Sequence, residues 1–439
     1  MVSETALTGK QTVRVALASF IGTTIEWYDF MLFGMAASLV FNTLFFPSLS
    51  PVAGTLAAFA TFGVAFLARP LGGIVFGHFG DRIGRKAMLV LTLLLMGFGT
   101  AAIGMLPTFE SVGIWAPIML TALRFVQGIA VGGEWGGAAL MAVEHASPGR
   151  RAFYGSWPQA GVPAGLLLSS LAFWLVESMP EESLMAWGWR IPFLASLVLV
   201  VVGLYIRLSV SESPDFAKVK ESGASVRIPL MTLMRTRKKN MLIGIGAQAG
   251  TNIPFYLASV FVLSYGPDIG LSQGSILLAM IIATFVDIPL VPWVASFADR
   301  YGRRRILGIG AIYMAAVSFP FFWLIESGSQ LGVIIAMILI LTFGHALTYA
   351  SISAFLAELF EPQIRYSGAS ISYQVGGMVT SGPAPLIAAS LLAATGGTWS
   401  IALYIILSCV VTFVAIAAAR NTWTSTPEES PRKATVEAG

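Results

Sequence analysis

The sequence predicts an all-α membrane protein of twelve transmembrane helices in two parallel six-helix repeats. Three observations carry that prediction: an apolar composition, twelve apolar runs of spanning length, and a charged loop that recurs at the matching place in each half. Of 439 residues, 56% are hydrophobic and 11% charged, and the mean hydropathy is +0.79. A soluble domain carries about 25% charged residues, so the lipid bilayer is the expected solvent and partner. The basic residues stand in short clusters rather than along one face, which argues against nucleic acid. Cys409 is the only cysteine, so no intrachain disulfide and no cysteine metal site can form.

A crossing helix needs roughly 20 apolar residues. In the first half such runs lie at about 15–46, 52–77, 87–107, 113–143, 152–177 and 189–210. In the second they lie at about 240–266, 272–297, 306–326, 331–358, 366–394 and 398–420. The first run is long, contains acids and lacks an obvious cleavage site, so it is expected to be retained rather than removed as a signal peptide. The chain therefore divides into a cytoplasmic N-terminus (1–14), a bundle (15–210), a cytoplasmic linker (211–239), a second bundle (240–420) and a polar tail (421–439) expected to be disordered.

Lysine and arginine set the orientation. Alternate connections hold Arg82, Arg85 and Lys86; Arg150 and Arg151; Arg235, Arg237, Lys238 and Lys239; Arg300, Arg303, Arg304 and Arg305; and Arg365. The connections between them hold no lysine or arginine but Glu110, Glu181, Glu182 and Asp268. Both termini are therefore expected inside a multi-pass protein of the cytoplasmic membrane.

GHFGDRIGRK (77–86) follows the second run and SFADRYGRRR (296–305) follows the eighth. Asp81 precedes Asp299 by 218 residues, and Arg151 in EHASPGRRAFYG precedes Arg365 in ELFEPQIRYSG by 214. Similar offsets at equivalent places mean two repeats of the same orientation, a transporter plan. A plain positive-inside loop would explain the basic residues but not the recurring acid. An aspartate at a helix end can cap a neighbouring helix or pair with arginine. Asp81, Arg82, Arg85, Asp299, Arg300 and Arg303 are thus gate candidates, with Arg69 expected to reach toward the first loop and join them.

Charges inside the membrane need a reason, because burial costs at least about 2.5 kcal/mol at mid-bilayer. In TTIEWYDFMLFG, Glu26 and Asp29 share a helix face near the expected midplane. The fourth run carries Arg124, Gln127 and Glu134. Arg124 keeps its charge, so it is expected to meet a carboxylate: Asp29 at rest, or a substrate anion. Glu26, Asp29 and Glu134 are the proton-coupling candidates. Arg124, Gln127, Tyr28, Gln248 and Asn252 are the substrate-binding candidates, and Asp287 and His345 a possible proton path. A fixed arginine–aspartate pair would account for the same charges without transport. The glycines of GIAVGGEWGGAA, Gly128 and Gly132 among them, suit close helix packing; no strand precedes them, so a nucleotide loop is excluded. Pro158, Pro163 and the stretch from Gly376 to Pro383 are expected to bend the fifth and eleventh helices.

EWYDF (26–30), FLARPLGGIVFGHFGDRIGRK (66–86), LRFVQGIAVGGEWGGAA (123–139) and WGWRIPF (187–193) resemble the metabolite:proton symporter family of the major facilitator superfamily. The resemblance runs from about Arg14 to Arg420. It departs at Ala295, where the first loop copy has Gly77. It implies the major facilitator fold and a symporter, working by alternating access, that imports a small organic anion with a proton. Members of that family carry shikimate, α-ketoglutarate, citrate, proline or betaine. Uptake of a zwitterionic osmolyte and facilitated uniport stay open; the short tail without heptads speaks against an osmosensor. No metal cluster, cofactor motif or catalytic triad is evident, so an enzyme is not expected. Channel and receptor fit the duplication and buried acids poorly. The chain is expected to work as a monomer driven by the proton gradient.

Overall fold

The computed structural model describes residues 9–83, 85–132, 142, 143, 146, 148–209, 237–361 and 364–419, which are helices and short connections with no strand among them. The first half supplies α1 (Gly9–Leu39), α2 (Pro51–Ile83), α3 (Arg85–Met105), α4 (Trp115–Gly132), α5 (Arg151–Glu177) and α6 (Arg190–Ser209). In the second half come α7 (238–265, in consecutive short segments), α8 (Gln273–Tyr301), α9 (Arg303–Glu326), α10 (Gln330–Glu358), α11 (365–395) and α12 (Trp399–Ala418). Twelve spans in two sets of six follow the order read from the apolar runs.

Eight of these are long and apolar enough to cross a membrane, and Glu181–Gly188 joins Arg190–Tyr205 as a ninth span bent by 45°. Val90–Met105 in α3 is apolar but shorter. The remaining two, α1 and α7, are interrupted by charge or by geometry. Segment breaks in α7 fall after Gly246 and at a π-turn over Leu257–Phe261. A second π-turn, Ile338–Gly344, lies in α10. In α11, Pro383 ends the helix over Arg365–Thr380 and a new one starts at Ala384. The helix is thus interrupted within the stretch from Gly376 to Pro383. By contrast α5 is one continuous helix from Arg151 to Glu177 through Pro158 and Pro163.

Apolar side chains such as Tyr205, Phe285, Trp293 and Val201 are exposed on the outside, where a bilayer covers them. Within the first half α1 packs on α5, α2 on α4 and α3 on α6; between the halves α5 packs on α8 and α2 on α11. The α2–α4 crossing is backbone on backbone. A Cβ on Gly132 would stand 1.9 Å from the Arg69 carbonyl oxygen, and one on Gly128 2.2 Å from that of Ala65. Only glycine permits that approach. Arg190, in WGWR, donates to the carbonyls of Gly104 (2.8 Å) and Leu106 (2.6 Å), satisfying the last turn of α3.

Candidate substrate site and gate

The charged centre is built by α1, α2, α3 and α4. One face of α1 carries Glu26, Asp29, Phe30 and Phe33, all buried. Opposite it, α4 carries Arg124 (0% exposed) and Gln127 (1%). Arg124 Nη1 donates to Gln127 Oε1 (3.1 Å), and Gln127 Nε2 donates to Thr100 Oγ1 on α3 (2.8 Å). The Arg124 guanidinium lies 4.3 Å from the Phe30 centroid and 4.2 Å from that of Phe33. Its Nε and Nη2 have no hydrogen-bond partner, nor has Asp29 Oδ1. Asp29 acts electrostatically on Arg124, but among the described residues the two form no ion pair. The expected resting Arg124–Asp29 bridge is therefore absent; ring faces and the Gln127 amide hold the cation instead. Both ends of the Gln127 amide are thus engaged within the bundle.

Arg69 is placed differently from expectation. The second apolar run ends near residue 77, but α2 continues as helix to Ile83. Arg69 thus lies about 20 Å from the helix end at 1.5 Å per residue, too deep to reach the loop. It is 3% exposed and sits 4.3 Å from the Phe30 centroid and 4.5 Å from that of Phe66. Tyr28 is also corrected. Its hydroxyl donates to the Pro192 carbonyl of α6 (2.8 Å). Glu134 lies outside the described residues.

The second half closes the centre with aromatic and neutral polar groups. Tyr256 of α7 stacks on Trp27 and packs on Phe62 and Phe66. Tyr349 and Tyr373 share a hydroxyl–hydroxyl bond of 2.8 Å. Gln248 donates to the carbonyls of Gly244 and Ser372, tying α7 to α11, and Asn252 donates to Thr380 Oγ1. Asp287 on α8 and His345 on α10 meet at 2.6 Å, both buried, with the imidazole between Phe255 and Tyr349. Sequence reading found these two separately. The three tyrosines were missed, since nothing in a membrane tyrosine marks which side it faces.

A clamp joins the halves at the face that bears the basic loops. Asp299 Oδ1 and Oδ2 accept from the amides of Ala152 and Phe153 (2.9 Å each), the first turn of α5. Arg303 pairs with Asp299 (2.8 Å) and with Glu358 of α10. Ser353 donates to the Gly155 carbonyl beside them. Asp299 and Arg303, two of the gate candidates, thus meet at the seam between the halves. Arg300 does not: it is exposed and lies over Tyr301. The side chains of Asp81, Arg82 and Arg85 lie outside the described residues. Glu358, present in the ELFEP stretch but given no role from sequence, completes the clamp. At the opposite face Ser38 Oγ donates to the Val260 carbonyl (2.8 Å), so α1 meets α7 there. Contacts between the halves thus lie on both sides of the centre. A cleft of about 720 Å³ between Val64, Phe109, Pro117 and Phe125 is apolar, faces outward, and holds none of these charges.

Twelve helices in two repeats, a buried polar centre between them and a charged clamp at one face define a membrane transporter rather than an enzyme. The Major Facilitator Superfamily profile matches residues 19–381 and again 255–438, and the chain belongs to that family. It is 43% identical over 403 residues to the shikimate transporter of Escherichia coli K12, covering 91% of this chain and 92% of the relative. It is 40% identical to the inner membrane metabolite transport protein YhjE of the same organism, covering 93% and 94%. With the glycine betaine/proline/ectoine/pipecolic acid transporter OusA of Dickeya dadantii identity is 32%, covering 91% and 81%. Among solved structures, the inward-open xylose transporter XylE of E. coli has the same fold at 17% identity, with a TM-score of 0.73 over 95% of this chain and 98% of that one.

Proposed function

We propose that this protein is a proton-coupled symporter that imports a small organic acid by alternating access. The observation that carries the reading is Arg124, fully buried, with two N–H sites unfilled beside an Asp29 oxygen that is also unfilled. A guanidinium cannot shed its charge, and burial without a counter-ion is costly. A substrate carboxylate would complete its hydrogen bonds bidentately.

Coupling follows from competition. With Asp29 ionised, its field offsets Arg124 and an anion gains little. With Asp29 protonated, Arg124 is left for the substrate. Glu26 shares that α1 face, and Glu134 remains a further carrier candidate. The halves, 15–210 and 240–420, would rock about the centre, with the Asp299–Arg303–Glu358 clamp closing the basic face and parting when it opens. Both termini and the linker 211–239 would lie in the cytoplasm, the protein working as a monomer in the cytoplasmic membrane. The names of the 40–43% identical relatives, shikimate and metabolite transporters, support an organic metabolite. The name of the 32% identical OusA keeps a zwitterionic osmolyte as the second reading.

The test is uptake of radiolabelled shikimate into liposomes holding the purified protein, with a pH gradient imposed. Accumulation that follows the gradient and collapses with a protonophore is expected. Uptake that ignores the gradient would sink the symport claim.

A further inference from the structure

The centre holds a second permanent cation. Arg69 on α2 and Arg124 on α4 each place their guanidinium carbon 4.3 Å from the centroid of the same Phe30 ring. The two charges therefore lie within twice that distance of each other, the span of a small molecule. Each keeps Nε and Nη2 without a hydrogen-bond partner. Among the described residues neither is ion-paired, and each raises the cost of the other, since Arg69 acts directly on Arg124. Ring faces offset part of that cost. A structural arginine at this depth would be tied to an acid or to helix carbonyls, as Arg190 is tied to Gly104 and Leu106. Arg69 is instead left with open donors beside a second arginine likewise open. A third donor faces them from the other half: the Tyr256 hydroxyl is buried and unpartnered, and its ring lies 5.5 Å from that of Phe66, on which Arg69 rests.

We infer that Arg69 is a second anion-binding residue. The ligand is a small organic acid with a carboxylate and a further oxygen function, bridging Arg124 and Arg69 while Tyr256 donates to it from the second half. This inference rests on the reading of the Arg124 centre as the substrate site, and it narrows the ligand. A zwitterion would set its cationic end against a guanidinium. A hydroxylated monocarboxylate or a dicarboxylate would satisfy both arginines.

The test is calorimetric binding to the full-length protein in detergent, with shikimate, 2-oxoglutarate and glycine betaine as probes. Melting temperatures of the ligand-free variants are measured alongside. Wild-type protein is expected to bind at least one of the two acids and to bind betaine more weakly. Arg69→Gln should weaken acid binding roughly ten- to hundredfold, the loss of hydrogen bonds to a charged group. Arg69→Lys should retain part of it. The ligand-free melting temperature of Arg69→Gln should equal or exceed that of wild type, because an unpaired buried charge has gone. Unchanged affinity in Arg69→Gln would overturn the inference while leaving the Arg124 reading intact. Lost binding with a lowered melting temperature and no rescue by lysine would mark a structural arginine and overturn it equally. Unchanged affinity in Arg124→Gln, or a wild type that prefers betaine to both acids, would remove the underlying reading and the inference with it.

Discussion

Replacing Asp299 with alanine strips the clamp of its central acceptor. In the closed state its two oxygens receive the Ala152 and Phe153 amides at 2.9 Å and the Arg303 guanidinium at 2.8 Å, with the aspartate side chain 6% exposed. Hydrogen bonds to a charged group contribute about 1.5–3 kcal/mol each. Water replaces part of that when the seam opens, so about 2–3 kcal/mol of preference for the closed basic face should vanish, a shift of roughly 30- to 150-fold in the opening equilibrium. The amides of Ala152 and Phe153 report it directly, because the first turn of a helix offers them no internal acceptor. Hydrogen exchange there should accelerate by about that factor in Asp299→Ala and by less in Asp299→Asn, whose amide oxygen still accepts. A cysteine placed at Ser353, in a background with Cys409→Ser, should label faster to a similar degree. Unaltered exchange at both amides in the alanine variant would refute the clamp.

Three further outcomes are expected. Asp29→Asn should abolish gradient-driven accumulation while leaving exchange of labelled for unlabelled substrate measurable; normal uphill transport in liposomes would remove Asp29 from the coupling role. Gly132→Ala, whose new methyl would meet the Arg69 carbonyl at 1.9 Å, should cost about 1–3 kcal/mol as an overpacked contact between backbones, read as a lowered melting temperature; an unchanged one would mean that α2 and α4 can part. Asp287→Leu should destabilise by about 1–3 kcal/mol by leaving the buried His345 imidazole without its partner, and the double variant with His345→Phe should recover most of it. Additive losses in that thermal cycle would show that the two do not act as a pair.

The spans and the charged centre were legible because charge in an apolar run is conspicuous: Asp29 and Arg124 could be picked out from composition alone. Depth was legible only as far as helix ends were. Arg69 was placed at a gate because the apolar run stops near residue 77, whereas backbone hydrogen bonding carries α2 on through polar residues to Ile83. Facing was harder. Tyr28 sits between Glu26 and Asp29 in sequence, but each residue turns a helix by about 100°, which sends its hydroxyl to Pro192. Pairing was not legible. Asp287 and His345 lie on different helices, and no periodicity within either says that they touch. Pro158 and Pro163 leave α5 continuous, because proline removes one hydrogen bond without obliging a packed helix to break.

The glycine crossing of α2 and α4 has a consequence for how selectivity is divided. Gly132 lies against the carbonyl of Arg69 itself, and Gly128 one turn earlier lies against that of Ala65. In the proposed cycle both arginines would therefore ride on one closely packed unit and keep their mutual spacing whichever face is open. The proposed anion socket would then be carried whole by one half, like a cargo hook fixed to a single jaw. Tyr256, Tyr349, Gln248 and Asn252 on the other jaw would trim its shape. Chimaeras that exchange only the second half should then alter which acids fit while preserving the preference for acids, so cargo shape and cargo charge can evolve on separate halves of the chain.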